Sequence, residues 1–237
     1  MKKIAGLMVI LMVVMGLTGC AATTMIKKAN LDTQTKMSAT IFLEPVSQKK
    51  KVVFVNIRNT SDKDLNIATR IKNTLAGRGY TLTQNPDEAN FMLQANILKV
   101  GKSDARASAD ALEGGFGGAL LGGAMGNSPN SSRNAAVVGG ILGFIGDAMV
   151  ADIYYTMITD LQVRERPLAG EVVNQKQNTN VEQGTGTKLT QNVSGGQVNW
   201  KTYRTRIVST ANKVNLKFDE ALKPLENGLV RSISGIF

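Results

Sequence analysis

The chain has 237 residues, 43% hydrophobic, 19% charged and 5% aromatic, which suits one globular domain with an insertion. It has no histidine and one cysteine, which excludes histidine-based catalysis, histidine-bearing metal sites and a disulfide within one subunit. The formal net charge is +10, but the lysines and arginines are scattered and form no nucleic-acid-binding motif. Anionic lipid or lipopolysaccharide is therefore the expected counter-charge, and nucleic acid is not an expected partner.

Residues 1–19 have the layout of a secretory signal peptide, with two lysines before an apolar run. The signal ends in Leu17, Thr18 and Gly19, which together with Cys20 resemble the lipobox of bacterial lipoproteins. Such proteins are cleaved before the cysteine, which then carries lipid. Cys20 is thus the predicted lipidation site, and no other cofactor and no metal are expected. The alternatives are a plain signal peptide and an uncleaved anchor. No aspartate follows Cys20 directly, which favours the outer membrane.

The first part of the mature chain, residues 20–50, is predicted to be a lipidated tether that ends in a strand over residues 38–43. Residues 51–100 then show the clearest globular pattern. A β-forming run over 52–57 precedes a helix that starts at Lys63, and strands follow over 80–83 and 91–100. This βαββ order predicts a mixed sheet with a helix on one face.

Residues 108–150, here called the glycine-rich insertion, contain two apolar segments around a polar tip. Helical spacing gathers small residues on one face of each segment and large apolar residues on the other, which predicts a membrane-inserted helical hairpin. The predicted helix-packing ridges contain Gly114, Gly118, Gly122, Gly126, Gly139 and Gly143. The predicted lipid-facing residues are Leu112, Phe116, Leu120, Val137, Ile141, Ile145 and Met149. The predicted exposed tip is Asn127, Ser128, Pro129, Asn130, Ser131, Ser132, Arg133 and Asn134.

Asp147 lies among apolar residues on the small-residue face of the second segment. An acid inside the membrane faces a bundle interior, a partner or water, so Asp147 is a candidate intramembrane acid. The alternative is that it lies just below the bilayer, at the base of the segment. A different alternative for the whole insertion is a glycine-rich loop folded over a soluble core.

After the insertion, the sequence predicts a strand over 152–162, an exposed loop or long hairpin over 177–196 and a strand over 200–214. A closing helix over 215–237 is predicted to be interrupted or kinked at Pro224. Residues 51–107 and 151–237 are therefore expected to form one α/β domain. The predicted fold class is α+β, a mixed sheet with flanking helices and the inserted transmembrane hairpin. Bare glycine ridges need partners to pack against, which predicts a ring-like homo-oligomer.

Three features together resemble the TraT family of surface-exclusion and complement-resistance lipoproteins of F-like conjugative plasmids. They are the lipobox LTGC, the stretch VVFVNIRNTSDKDLNIATRIKNTLAGRGYTLTQNPDEANFMLQANIL and the double glycine segment. The resemblance implies a surface-exposed outer-membrane lipoprotein that forms a high-order homo-oligomer and has no enzymatic activity. It also implies reduced mating-pair formation with donors of related plasmids and reduced serum killing.

The resemblance and the residue patterns together predict how the protein acts. The expected partners are further copies of the chain, outer-membrane lipid and a pilus or outer-membrane mating component of the donor cell. Exclusion specificity is predicted to reside in the tip, residues 127–134, and in the adjacent residues of the two arms. The alternative function is a ring-forming outer-membrane translocation or secretion channel, which would conduct ions in planar bilayers.

Overall fold

The computed structural model describes residues 29–118, 142–145, 148–168, 177–183, 187–193 and 199–237. Its helices are α1 Ile67–Gly77, α2 Ala105–Glu113 and α3 Phe218–Ser234, with a 3-10 turn at Gln48–Lys50. Its strands are β1 Asp32–Met37, β2 Val52–Asn59, β3 Thr81–Thr83, β4 Phe91–Lys102, β5 Leu142–Ile145, β6 Ala148–Glu165, β7 Gln177–Gln183, β8 Thr187–Val193 and β9 Lys201–Val214.

One mixed sheet organises the protein, with the strand order β1-β9-β6-β4-β2-β3 and with β5 paired to the first residues of β6. Strand β2 runs parallel to β3 and β4, while the remaining pairs are antiparallel. Strands β7 and β8 form a separate antiparallel pair, so the predicted loop or long hairpin over 177–196 contains a hairpin. The mixed sheet and the βαββ order of residues 52–102 are confirmed.

The helices lie on both faces of the sheet, and the larger core lies between the sheet and helices α1 and α3. Ile71 and Leu75 of α1 and Leu225 and Leu229 of α3 are buried there, on Leu93 and its neighbours in the central strands. On the opposite face, Ala111 of α2 packs against Ile158 and Val208. The sequence accounts for this layering because β6 alternates, with Met157 and Leu161 on the α1–α3 face and Ile158 on the α2 face.

Two predictions about the helices differ from the structure, namely the start of α1 and the break at Pro224. Helix α1 begins at Ile67 rather than Lys63, because the Asn59 side chain holds the preceding turn by donating to the Lys63 carbonyl over 2.6 Å and accepting from the Ser61 amide over 3.0 Å. The predicted interruption at Pro224 is wrong, since α3 runs through this proline without a break. Its buried leucines on the sheet stabilise the turns after the proline.

The predicted first strand over 38–43 is wrong, and the chain already enters the sheet as β1 at Asp32. Strand β1 lies at the sheet edge, where most of its side chains are exposed, so its sequence DTQTKM lacks an apolar alternation. Residues 38–46 instead form a non-strand segment, here called the crossing segment, which packs Ile41, Leu43 and Val46 on the core. Those apolar side chains explain why the segment has the composition of a strand.

The buried Glu165 at the end of β6 fixes the crossing segment. One carboxylate oxygen accepts a hydrogen bond from the Tyr203 hydroxyl over 2.6 Å, and the other accepts from the Glu44 backbone amide over 3.0 Å. Glu165 is 1% exposed, so these bonds replace water that the carboxylate loses on folding. The carboxylate thus joins β6, β9 and the crossing segment.

Glu165→Gln is expected to lower the free energy of unfolding by about 1–3 kcal/mol, because two charge-assisted bonds become neutral or are lost. Urea unfolding followed by circular dichroism measures this change. The matched control is Glu44→Gln, which removes an ion pair to Lys201 at 3.7 Å from a half-exposed carboxylate. That control is expected to change stability by less than about 0.5 kcal/mol. Equal effects of the two substitutions would show that Glu165 does not hold the segment.

Candidate functional site at the root of the glycine-rich insertion

A buried ion pair lies on the α2 face of the sheet, next to residues 111–118 at the start of the glycine-rich insertion. Asp160 of β6 and Arg206 of β9 are directly paired across the two strands. Arg206 donates from Nε to one oxygen of Asp160 over 2.7 Å and from Nη2 to the other over 3.1 Å. Arg206 is only 1% exposed. This is a bidentate fork, the strongest geometry for an arginine and a carboxylate.

The same ion pair binds the backbone of the insertion. Arg206 donates to the Ala111 carbonyl over 3.2 Å and to the Gly118 carbonyl over 3.0 Å, and Asp160 accepts from the Gly117 amide over 2.9 Å. A buried ion pair requires such additional bonds to offset desolvation. The Ala111 carbonyl lies in the last turn of α2, where a cation is favourable. Residues 111–118 are therefore held against the sheet at three points.

Glycine is required where the backbone meets this ion pair. Gly117 has a φ of +72°, a conformation that side-chain-bearing residues rarely adopt. A Cβ at Gly118 would collide with the Gly114 carbonyl. Helix α2 ends at Glu113, so Gly114 and Gly118 form part of a turn and not the predicted helical ridge. The ridge prediction for these two residues is wrong because the ion pair favours the turn over a continued helix.

Two residues predicted to face lipid instead contact the domain. Phe116 lies under the guanidinium of Arg204, whose carbon is 5.1 Å from the ring centroid, in a cation–π contact. Leu112 packs against the cluster of Ala111, Ile158 and Val208. The lipid-facing prediction is wrong for both residues, because the α2 end of the insertion packs on the sheet.

The second apolar segment of the insertion, predicted to be a helix, forms strands in the part that the structure describes. Leu142–Ile145 and the first residues of β6 form an antiparallel strand pair, with Gly143 opposite Val150 and Ile145 opposite Ala148. Gly143, Ile145 and Met149 are therefore in strands, and their predicted helical placement is wrong. The β-branched and aromatic residues of LGFI and MVADIYY favour strands. No helix in the described ranges is long and apolar enough to span a membrane.

The two described ends of the insertion are far apart. Gly118 lies beside Asp160, whereas Leu142 pairs with Ala151. Nine positions of β6 separate Ala151 from Asp160, which corresponds to about 30 Å at roughly 3.3 Å per residue. The two arms of a helical hairpin would have to start next to each other. Gly118 and Leu142 are therefore placed too far apart for the bases of such arms.

The remaining predicted site residues lie outside the described residues and stay predictions. They are Cys20 with Leu17, Thr18 and Gly19, the ridge residues Gly122, Gly126 and Gly139, the lipid-facing Leu120, Val137 and Ile141, Asp147 and the tip residues 127–134.

Asp160 and Arg206 were not predicted to form a pair. The predicted strands over 152–162 and 200–214, which contain these two residues, are both confirmed. The available signal was that Asp160 and Arg206 each lie two positions from a β-branched apolar residue, Ile158 and Val208, on the same face of a strand, since charges on an apolar face need partners. No cluster of three potential metal-ligating side chains occurs within the described ranges.

Comparisons with known proteins identify the family. Residues 30–237 match the family model described as the enterobacterial TraT complement resistance protein. A TraT complement resistance protein of Escherichia coli is 42% identical over 245 residues, covering 99% of this chain and 98% of that one. A protein of the same name from Wigglesworthia glossinidia brevipalpis is 31% identical over 237 residues, covering 98% and 95%.

These matches place the chain in a class of protein, the enterobacterial complement resistance proteins. This class is not a known family of enzymes. The chain belongs to the TraT family, and the resemblance seen in the sequence is confirmed. Among solved structures, a PelC dodecamer from Paraburkholderia phytofirmans matches with 8% identity and a TM-score of 0.29, covering 86% of this chain and 95% of that one. A similarity this low supports no conclusion about fold or assembly.

Proposed function

We propose that this protein is an outer-membrane lipoprotein that protects its host cell from complement and mediates surface exclusion during conjugation. The observation that carries the proposal is membership of the TraT complement resistance family, with the family model matching residues 30–237. Lipid on Cys20 anchors the chain in the membrane. Copies of the chain assemble with one another, and the tip at residues 127–134 meets a pilus or outer-membrane mating component of the donor cell. The protein acts by binding and has no enzymatic activity.

The buried ion pair supports this proposal through its position. It holds residues 111–118 on the sheet through three hydrogen bonds, so the backbone is fixed up to Gly118. A binding surface at the tip loses less entropy on recognition when its base is rigid. The domain and the ion pair therefore serve as a rigid base for recognition.

Mating and serum-survival assays test the proposal. Recipient cells that make the protein should yield fewer transconjugants with donors of a related plasmid, unchanged transfer with donors of an unrelated plasmid, and higher survival in serum. The matched control is Cys20→Ala, which removes the lipid anchor and should abolish all of these effects and the outer-membrane location. The proposal fails if the protein is present in the outer membrane at the level of the E. coli relative and changes neither transfer nor survival.

The part of the proposal that concerns the tip has its own test. Exchange of residues 127–134 between proteins of two plasmid types should move exclusion specificity with the exchanged segment. Serum survival should stay unchanged, since the anchor and the domain are retained. Specificity that stays with the domain would contradict the role of the tip. Ion conductance by the purified particle, without exclusion in cells, would favour a translocation channel instead.

A further inference from the structure

The α2 face of the sheet carries arginines from β6, from β9 and from the residue that follows β6, and one of them has no partner among the described residues. Arg206 is paired with Asp160, and Arg166 donates to the Ala89 carbonyl over 2.7 Å. The Arg164 side chain makes no hydrogen bond or ion pair within the described part of the chain, and although the residue is half-buried, its Nε is fully buried without an acceptor. An arginine stays protonated in proteins, so the loss of its proton cannot remove the unpaired buried donor.

A buried donor of a charged group that has no acceptor raises the free energy of the folded state. Such a donor is retained where a bound ligand supplies the missing acceptor. The neighbouring strand adds to the positive charge, because Arg204 lies one diagonal step away, opposite Gln162. Arg204 donates from Nε to Gln162 over 2.7 Å, and Gln162 donates to Gln94 over 2.9 Å. This chain of bonds fixes the Arg204 guanidinium beside Arg164. Burial, and secondly the charge of Arg164, lower the pKa of Arg204.

We propose that Arg164, with Arg204 beside it, binds a phosphate oxyanion. The fork of a guanidinium matches two oxygens of a phosphate, which gives Arg164 the charge-assisted bonds that the protein does not supply. A phosphate carries up to two negative charges and so reduces the repulsion between two guanidinium groups more than one carboxylate does. The phosphate is either free in solution or part of a lipid headgroup. The site lies beside Phe116, at the root of the insertion, and the inference does not depend on complement resistance or exclusion.

Thermal unfolding of the full-length protein in non-ionic detergent tests the site. In phosphate-free buffer, addition of inorganic phosphate should raise the unfolding temperature of the wild type, while chloride at equal ionic strength should not. Arg164→Gln should weaken phosphate binding by about tenfold or more, as expected for the loss of charge-assisted bonds. Without phosphate the variant should be as stable as the wild type or more stable, because it removes a buried unsatisfied donor.

Two matched variants separate binding from folding. Arg58→Gln removes an exposed arginine from the same face, on β2, and should leave phosphate binding unchanged. Arg164→Lys keeps the charge without the fork and should bind with intermediate affinity. The proposal is overturned if Arg164→Gln binds phosphate as the wild type does, or if it loses stability in phosphate-free buffer while binding stays intact.

Vesicle flotation identifies the source of the phosphate. The protein is mixed with vesicles of phosphatidylcholine alone or with added phosphatidylglycerol. Binding to phosphatidylglycerol that requires Arg164 indicates a lipid phosphate, whereas thermal protection by inorganic phosphate, with flotation unaffected by Arg164→Gln, indicates free phosphate. If Arg164→Gln changes neither but lowers the particle mass measured by light scattering, Arg164 contacts a neighbouring copy of the chain, and the phosphate site is refuted.

Discussion

Arg206→Met is expected to lower the free energy of unfolding by about 3–5 kcal/mol, the usual cost of breaking a buried ion pair by removing one partner. The substitution leaves the Asp160 carboxylate with one described bond, from the Gly117 amide. It also leaves the carbonyls of Ala111 and Gly118 without the donor they share. Loss of this arginine therefore affects both the sheet and the root of the glycine-rich insertion.

Chemical denaturation and hydrogen exchange measure the two effects separately. Amides of residues 111–118 should exchange faster in Arg206→Met, while those of α1, on the opposite face, should lose protection only in proportion to global stability. The double variant Arg206→Met with Asp160→Leu should be more stable than the sum of the single effects predicts, because no charge remains buried. Arg58→Gln serves as the exposed control, with an expected change below about 0.5 kcal/mol. Additive effects in the double variant would refute coupling of the pair.

Gly118→Ala is expected to destabilise the protein by about 1–3 kcal/mol, the range for local backbone strain. The added methyl group collides with the Gly114 carbonyl, so the turn has to move. That movement carries the Gly118 carbonyl away from Arg206 and weakens one of the three bonds that hold the root. If the rigid root serves recognition, exclusion should decrease even where the variant protein reaches the wild-type surface level.

Gly77→Ala provides the matched control for this glycine substitution. Gly77 is the last residue of α1, and nothing lies within 4 Å of the position that a Cβ would occupy there. Alanine has the higher helix propensity, so the control should stabilise the protein by about 0.5–1 kcal/mol. Thermal unfolding of both variants gives the comparison. Equal stability of Gly118→Ala and the wild type would show that the turn tolerates a side chain.

Much of the sheet could be predicted because its strands alternate over long stretches. In β6 the period of two places Met157 and Ile158 on opposite faces, as the structure confirms. Helix α1 could be predicted from Ile71 and Leu75, which recur at helical spacing. Such patterns exist because the side chains that face the core are apolar and recur at the period of the strand or helix. Strand β1 has no such period, since pairing with β9 at the edge orders it without burying its side chains.

The root of the insertion could not be predicted because its stability depends on residues distant in sequence. The spacing of Gly114 and Gly118 fits a helical ridge as well as a tight turn, and local pattern does not separate the two. The choice is made by Asp160 and Arg206, which meet the glycines only in the folded sheet; Gly117 and Asp160 are 43 positions apart, and Gly118 and Arg206 are 88 apart. The burial of these two charges, which only the folded sheet reveals, is what lets a tertiary contact override local preference.

The position of β9 between β1 and β6 determines when the complete sheet can form during biogenesis. Strand β9 lies between β1 and β6, although β1 is the first strand of the described chain and Thr35 is 174 positions from its partner Ser209. A chain that emerges with its N-terminus first therefore holds β1 and β6 without their common neighbour until residues 201–214 arrive. Pairing over such sequence separations is slow to nucleate. The pairs β1–β9 and β6–β9 are consequently absent from the nascent polypeptide until its C-terminal region has emerged.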